Sequence, residues 1–216
     1  MPRNLLTRRP LVQRHPVVRV RLAAPAPKIF VVGGSRSGKS AFAQKMAERW
    51  RGPLLFVATL AVRDEESRSR VAAHRQKRSS RWHTVDAGVD LAACLSACPE
   101  ASCVLVDSLG TWVSGVLCHC FDGQGALPPA GDEVGNVATM DALAKGLLDF
   151  SAAVRDSRRP VIVVSDEVGL GLVPPDALGR VFRDVLGLAN QTLAAQADEA
   201  YFLSCGLPLR LKGRPS

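Results

Sequence analysis

The chain has 216 residues, 47% hydrophobic and 22% charged, with a formal net charge of +8. This composition suits one α/β domain with a substantial core, and no run of about 18 apolar residues occurs that would form a membrane-spanning helix. The charge is unevenly spread, since residues 1–28 carry a net +7 and the remaining residues only +1. A nearly neutral body argues against a nucleic-acid-binding surface.

Residues 1–27 are a basic, proline-rich extension without an apolar period, and we expect them to be disordered. They lack the continuous apolar core of a secretory signal. A transit peptide is the alternative, because the segment is rich in Arg and free of acids, although it lacks Ser and its prolines would interrupt an amphipathic helix. We expect a single folded domain over residues 28–216.

The domain opens on an apolar run, residues 29–32, that predicts a buried strand. The eight residues that follow fit the phosphate-binding loop G-x-x-x-x-G-K-[ST]. They are Gly33, Gly34, Ser35, Arg36, Ser37, Gly38, Lys39 and Ser40. Glycines let backbone N–H groups approach a triphosphate, and the N-terminus of the following helix adds a positive field. Lys39 is predicted to reach the β- and γ-phosphates of ATP or GTP, and the Ser40 hydroxyl to hold Mg²⁺.

Strand and helix patterns alternate along the rest of the chain. Strands are predicted at residues 53–59, 82–85, 103–107, 160–167 and, as the last, 200–203. Helices are predicted from about residue 39, within 63–81, and at 89–98, 109–120, 138–156 and 177–198, with a Gly/Pro/acid-rich loop at 121–135. This alternation predicts an α/β fold of the P-loop NTPase class, with a mostly parallel sheet flanked by helices and ligands at the carboxyl ends of the strands.

A phosphate loop needs a second acid to position Mg²⁺ through water, normally at the end of another apolar strand. Asp107 fits this pattern and is our principal candidate, and Asp166 or Glu167 fit it as well. The alternative for each is a helix N-cap or a surface acid.

His74 lies in a strongly basic segment. Its neighbouring cations oppose a further positive charge and favour a neutral, nucleophilic imidazole. The same cations would stabilise a phosphoryl group under attack. Covalent nucleotidyl transfer is therefore one interpretation of this segment, and a solvated surface histidine is the other.

Six cysteines raise the question of a metal site. Cys118-His119-Cys120 places three possible ligands together, but no C-x₂-C pair or second cluster completes a tetrahedral site. Cys94 and Cys98 are spaced for one face of a helix, where thiols act as small apolar side chains. Free thiols in a reducing cytoplasm are the expectation.

Several segments together resemble the bifunctional adenosylcobinamide kinase / adenosylcobinamide-phosphate guanylyltransferase family of cobalamin biosynthesis. In order, they are the phosphate loop, Ala58-Thr59, Asp64-Glu65, Arg70-Val71-x-x-His74-Arg75, Trp82-x-Thr84, Val104-Leu105-Val106-Asp107, Trp112-Val113-Ser114, Glu167-Val168-Gly169-x-Gly171-x-Val173-Pro174, Phe182-Arg183-Asp184, Asn190-Gln191 and Ala197-Asp198-Glu199. The match runs from about residue 28 to Lys212.

The resemblance implies a RecA-like fold, a homotrimer and two reactions. ATP or GTP phosphorylates the aminopropanol hydroxyl of adenosylcobinamide. GTP then guanylylates a histidine, which falls on His74, and the GMP passes to adenosylcobinamide phosphate to give adenosylcobinamide-GDP. His83 falls at a variable position of the family's motif and is not the candidate. The implied nucleotide contacts are Gly34 to Ser40, Ala58, Thr59, Leu60, Arg75, Gln76, Lys77, Arg78, Asp86 and Asp107.

Three positions depart from the family's usual residues: Asp86 stands for Glu, Asp166 for Asn and Gly115 for Asn. Asp166 exchanges a group that donates and accepts for one that only accepts at neutral pH. These changes bear on substrate affinity and on the balance of the two activities. The motifs leave open where the corrinoid binds and whether ATP or GTP serves the kinase step.

Two other functions fit the phosphate loop alone. An unrelated small-molecule kinase usually carries an Arg-rich lid late in the chain, whereas residues 121–135 contain neither Arg nor Lys. A RecA-like nucleic-acid-binding ATPase is disfavoured by the nearly neutral body.

Overall fold

A computed structural model of the chain describes residues 26–60, 78–88, 90–122 and 137–213. The predicted disorder of the extension, the predicted helix within 63–81 and most of the loop at 121–135 therefore lie outside the described residues.

Seven strands form one sheet in the described part of the chain. They are β1 (Lys28–Gly33), β2 (Leu54–Ala58), β3 (Trp82–Asp86), β4 (Cys103–Asp107), β5 (Val161–Asp166), β6 (Glu199–Ser204) and β7 (Leu207–Lys212). Their order is β3-β2-β4-β5-β1-β6-β7. The pairs among β1 to β6 are all parallel, and β7 pairs antiparallel with β6. The predicted, mostly parallel sheet is confirmed.

Five helices accompany the sheet in the described ranges. They are α1 (Lys39–Ala47), α2 (Leu91–Cys94), α3 (Leu109–Asp122), α4 (Val137–Asp156) and α5 (Ala177–Gln196). The bounds of most elements agree with the predicted ones to within about two residues. Residues 121 and 122 belong to α3 rather than to the predicted loop.

The central strands β1, β2, β4 and β5 are buried on both faces, as expected for parallel strands joined by helices. Successive side chains of each strand point to opposite faces. One set, which includes Val31, Leu54 and Ile162, packs with Ala43 and Met46 of α1. The other set packs with α2 to α5. The alternation places the side chains at the carboxyl ends of β2, β4 and β5 on the α1 face.

The predicted helix at 89–98 is largely wrong, because only Leu91–Cys94 is helical. Asp90 caps this turn by accepting from the Ala93 N–H. After it, i→i+3 hydrogen bonds tighten the chain, and the Arg159 guanidinium donates to the carbonyls of Leu95 and Cys98. A side chain distant in sequence thus binds the carbonyls that a longer helix would have used.

The prediction of residues 200–203 as the last strand is also wrong, because β7 follows it. The connecting turn has Cys205 at φ 52° and Gly206 at φ 79°, two positive values that define a type I′ hairpin. The usual sequence signal for that turn is Asn-Gly or Asp-Gly, and Cys-Gly conceals it. All six residues of β7 are exposed.

No helix in the described ranges combines the length and apolarity needed to cross a membrane.

The hairpin turn makes Gly206 a test of backbone strain. An added Cβ would meet nothing within 4 Å, but φ lies in the left-handed region. We therefore expect Gly206→Ala to lower the free energy of unfolding by about 1–2 kcal/mol, measured by urea titration.

Gly115→Ala is the matched control for this substitution. Gly115 also has open space around it, but it lies in α3 with no positive φ. We expect this variant to gain up to about 1 kcal/mol, because Ala is the better helix former. Equal effects at the two positions would contradict the assignment of the turn.

Candidate functional site

The phosphate loop connects β1 to α1 at the carboxyl edge of the sheet. Gly38, at φ 92°, precedes the first residue of α1, and no side chain caps this helix. The N–H groups of its first turn are thus left for an external acceptor. A helix N-terminus of this kind, preceded by a glycine-containing loop, is the usual backbone site for a phosphate group.

The β6–β7 turn lies directly against this loop. The Gly206 N–H donates to the Ser37 carbonyl at 2.9 Å, and a Cβ on Gly38 would lie 3.1 Å from the Gly206 Cα. The absence of a side chain at Gly38 lets the two turns approach this closely. The C-terminal hairpin therefore supports the loop from one side.

Lys39 is held at the centre of the site by two acceptors. Its Nζ donates to the Gly34 carbonyl at 3.1 Å and lies 2.7 Å from Asp166 Oδ1. The two side chains of this ion pair are 11% and 28% exposed, respectively. Partial burial makes the pair stronger than a fully solvated one.

Asp166 itself is fixed by the start of α3. The Ser108 hydroxyl donates to Asp166 Oδ2 at 2.9 Å. Gly110 leaves the necessary room, since a Cβ there would lie 2.5 Å from the same oxygen. The carboxylate thus sits over the first turn of α3, where the helix dipole favours negative charge.

Thr59 links β2 to the same turn. Its buried hydroxyl donates to the Ser108 carbonyl at 2.7 Å, and the Thr111 hydroxyl donates to that carbonyl at 2.9 Å. The Ser108 hydroxyl also caps α3 by accepting from the Thr111 N–H at 3.3 Å. These contacts form a polar network that runs from the end of β2 to Asp166 and Lys39.

A groove of about 450 Å³ opens beside Asp166, between the loop after β5 and helix α5. Asn190 ties the two together, since its Nδ2 donates to the Asp166 carbonyl at 3.1 Å and its Oδ1 accepts from Ser165 at 2.6 Å. Arg183 donates to the Gly169 carbonyl at 3.1 Å. The groove is lined by Glu167, Val168, Gly169, Arg183, Asp184, Gly187, Leu188, Asn190 and Gln191.

The family described as Cobinamide kinase / cobinamide phosphate guanyltransferase matches residues 29–211. The chain belongs to this family. The bifunctional adenosylcobalamin biosynthesis protein CobP of Pseudomonas aeruginosa is 33% identical over 187 residues, covering 86% of this chain and 98% of that protein. The bifunctional adenosylcobalamin biosynthesis protein CobU of Escherichia coli is 34% identical over 185 residues, covering 85% of this chain and 99% of that protein.

Among solved structures, the crystal structure of the RadB recombinase matches with a TM-score of 0.41 and 17% identity, covering 82% of this chain and 74% of that one. A likeness this low carries no inference here. The P-loop α/β class of this family member rests on its own parallel sheet and on the loop that follows β1.

The structure brings part of the predicted nucleotide site together. The loop, Ala58, Thr59, Leu60 and Asp107 all lie at the carboxyl edge of the sheet, as does Asp86 at the end of β3. Thr59 is buried in the polar network, so its hydroxyl has a structural contact already. His74, Arg75, Gln76 and Lys77 lie outside the described residues.

Arg78 is the first described residue after that gap. Its Cζ lies 3.2 Å from the centroid of the Phe56 ring, and its Nη1 donates to the Thr84 hydroxyl at 3.2 Å. Both partners belong to the α1 face, by the alternation of β2 and β3. The basic segment therefore returns to the sheet on the same side as the phosphate loop.

The acid in contact with Lys39 is Asp166, which the sequence offered as an alternative to Asp107. The two residues each end a buried strand on the α1 face, and Asp166 lies two residues beyond the level of Asp107, which pairs with Val164. The predicted role of Asp107 towards Mg²⁺ stays a prediction. An Asn at position 166 could not form this ion pair.

Sequence reasoning missed Ser108, Gly110 and Thr111, which hold Asp166 and the end of β2. A usable signal was present, since a Ser directly after a strand and before an apolar helix is a typical N-cap. The groove was missed too, although three of the segments that carry the family resemblance, at 167–169, 183–184 and 190–191, converge on it.

The ion pair between Lys39 and Asp166 predicts that removing the charge of Asp166 strengthens nucleotide binding. Phosphate groups that recruit Lys39 must first displace Asp166, and its carboxylate also repels them. We expect Asp166→Asn to bind MgATP about threefold to tenfold more tightly, measured by isothermal titration calorimetry.

Asp149→Asn is the matched control, because Asp149 pairs with Lys145 at 2.6 Å on α4, on the other face of the sheet. We expect its nucleotide affinity to equal that of the parent chain. Weaker binding by Asp166→Asn would mean instead that the carboxylate holds Lys39 in its binding position.

Proposed function

We propose that this chain phosphorylates adenosylcobinamide and then guanylylates the product, giving adenosylcobinamide-GDP for cobalamin biosynthesis. The observation that carries the proposal is the uncapped N-terminus of α1 behind a phosphate loop in a member of the cobinamide kinase family. The phosphate loop and Arg78 both lie on the α1 side of the sheet, which supports our placing both reactions on that face.

For the kinase step, the N–H groups of residues 33–40 bind the β- and γ-phosphates of ATP or GTP, and Lys39 turns from Asp166 towards them. The aminopropanol oxygen attacks the γ-phosphorus, the bond to the β–γ bridging oxygen breaks, and the nucleoside diphosphate leaves as the hydroxyl proton is released. Catalysis here is mainly positioning and charge stabilisation.

The residues present fit Mg²⁺, because a hydroxyl and a carboxylate are the hard oxygen donors that this ion prefers. Ser40, in the first turn of α1, and Asp107, through water, are the residues that would hold it. When bound with the nucleotide, the ion would neutralise charge on the phosphates.

We place the corrinoid substrate in the groove beside Asp166. Asn190, which lines the groove, donates to the backbone carbonyl of Asp166, and the side chain of Asp166 contacts Lys39. Its lining combines the apolar Val168 and Leu188 with charged and amide side chains, as a large, partly apolar ligand with polar substituents requires.

For the transferase step, His74 is the nucleophile. Its imidazole nitrogen attacks the α-phosphorus of GTP, and pyrophosphate leaves. A phosphate oxygen of adenosylcobinamide phosphate then attacks the same phosphorus, which forms the new pyrophosphate bond and frees the histidine. Arg78 approaches the α1 face from the segment that carries His74, which supports a location for this chemistry near the phosphate loop.

The histidine step is tested by incubating the chain with GTP labelled at the α-phosphate. We expect an acid-labile, base-stable label on the protein, which His74→Ala abolishes while leaving phosphorylation of cobinamide measurable. Mass spectrometry of the intact chain should show one GMP adduct.

His119→Ala is the control for that experiment and should retain the full label. Label that persists in His74→Ala would exclude His74 as the nucleophile. Complete absence of label, with kinase activity intact, would reduce the proposal to the first reaction.

We further propose that the protein is a cytoplasmic homotrimer. The cytoplasmic location is supported by the described cysteines, Cys94, Cys98, Cys103 and Cys205, which are all free thiols. Association is supported by β7, which exposes Leu207, Leu209 and Leu211 by 71%, 61% and 60% at the edge of the sheet.

Light scattering after size-exclusion chromatography should give three times the 23.1 kDa mass of the chain. We expect Leu209→Lys to reduce that mass, because it places a charge in the apolar stripe. Leu148→Lys, at a leucine 65% exposed on α4, is the matched control. A monomeric parent chain, or equal behaviour of the two variants, would refute the proposed surface.

A further inference from the structure

A second cluster of chemically active side chains lies away from the phosphate loop. Among the described residues, His83, Cys98 and Glu100 bring one nitrogen, one sulfur and one carboxylate oxygen within 4.8 Å of one another. Cys98 is buried, whereas His83 and Glu100 are exposed. One anchored ligand and two ligands open to solvent allow an ion to enter.

Each of the three residues comes from a different part of one corner of the fold. His83 is on the edge strand β3, level with Leu55 of β2 and Val104 of β4. Cys98 and Glu100 follow α2, in the turn that leads into β4. The Cys98 carbonyl accepts a hydrogen bond from Arg159, which fixes the backbone of that turn.

The existing contacts show that these groups already interact. The Cys98 thiol and the Glu100 carboxylate lie within 4.8 Å of each other. Burial, and then that carboxylate, raise the pKa of the thiol. The pKa of Glu100 is lowered by its own backbone hydrogen bond, by this thiol and by the nearby charges of His83 and Arg159.

We propose that His83, Cys98 and Glu100 bind a zinc ion that pins the edge strand β3 to the turn before β4. Imidazole, thiolate and carboxylate are the three ligand types that zinc accepts, and a water completes a tetrahedral site on the exposed side. Modest closure of the 4.8 Å cluster brings the ligand atoms to the separations that a zinc centre requires.

Three protein ligands and a water are usual for a catalytic zinc, but the place of this cluster at the amino end of β3 favours a role in holding the strand. His83 precedes Asp86, at the carboxyl end of β3, by three residues, or about 10 Å along the strand. The nucleotide site therefore lies beyond the reach of the ion. The strand held in this way is the one that follows the basic segment and Arg78. Among the strands that the structure describes, β3 pairs only with β2, so a metal link near its amino end supplies what a second neighbouring strand would.

The test uses the full chain with Cys118→Ser and Cys120→Ser as its background, so that the Cys118-His119-Cys120 segment cannot contribute thiolates. Zinc alone should bind at one equivalent. It should raise the melting temperature by roughly 5–10 °C at a free concentration of about 100 times the dissociation constant. Cobalt in its place should give a charge-transfer band of the intensity expected for one thiolate.

We expect His83→Gln and Glu100→Gln, both at exposed positions, to lose most of the melting shift and to weaken binding at least about tenfold. Cys98→Ser should lose the cobalt–thiolate band. Cys205→Ser, at an exposed free cysteine, should change neither readout.

Zinc binding that is unaffected by His83→Gln and Glu100→Gln would place the ion elsewhere and overturn the proposal. The absence of a melting shift in the background chain at saturating zinc would overturn it equally. Kinase activity without added zinc should be the same in His83→Gln as in the background chain, which separates this inference from the proposed function.

Discussion

Lys39 and Asp166 are separated by more than a hundred residues of sequence, yet the 2.7 Å contact between them joins the two halves of the site. It is possible because β1 and β5 are parallel neighbours, so that Gly33 lies level with Asp166. The central strands β1, β2, β4 and β5 are buried on both faces, and their carboxyl edge brings Lys39 and Asp166 together. There the ion pair connects the phosphate loop, the N-terminus of α3 and the groove along α5.

The sequence predicts those parts of the fold in which one local pattern decides the outcome. Apolar runs such as residues 103–107 identify strands that are buried on both faces, and the glycine pattern identifies the phosphate loop. The errors occur where a distant contact decides. Helix α2 ends early because the distant Arg159 binds the carbonyls that follow it. The β6–β7 turn, which holds Gly206 against the phosphate loop, lacks the Asn-Gly or Asp-Gly sequence that usually predicts such a turn.

The candidate site shows the same division. The loop residues could be assigned from spacing, because the chemistry of phosphate binding fixes that spacing. Asp166 could not be singled out as the partner of Lys39, since Asp107 also ends a buried strand on the same face and the two differ in their levels in the sheet. The cluster at His83 could not be found either, because its ligands come from two segments whose spacing resembles no metal motif.

Family membership explains the general plan. Asp166 makes an ion pair that an Asn at this position could not make. It gives the nucleotide-free loop a charged acceptor for Lys39 and places a negative charge where phosphates must bind. The Gly115 departure, by contrast, lies in open space within α3, where nothing in the structure gives the missing side chain a partner.

The hydrogen bond from Gly206 to Ser37 has a consequence for how the loop moves. Among the described strands of the isolated chain, β7 has a single neighbour and is exposed to solvent, so its amides belong among the first to exchange with deuterium when the sheet edge frays. Each fraying event that reaches the turn also releases the Ser37 carbonyl. Transient opening of the C-terminal hairpin therefore limits the rigidity of the phosphate loop. This opening does not require global unfolding.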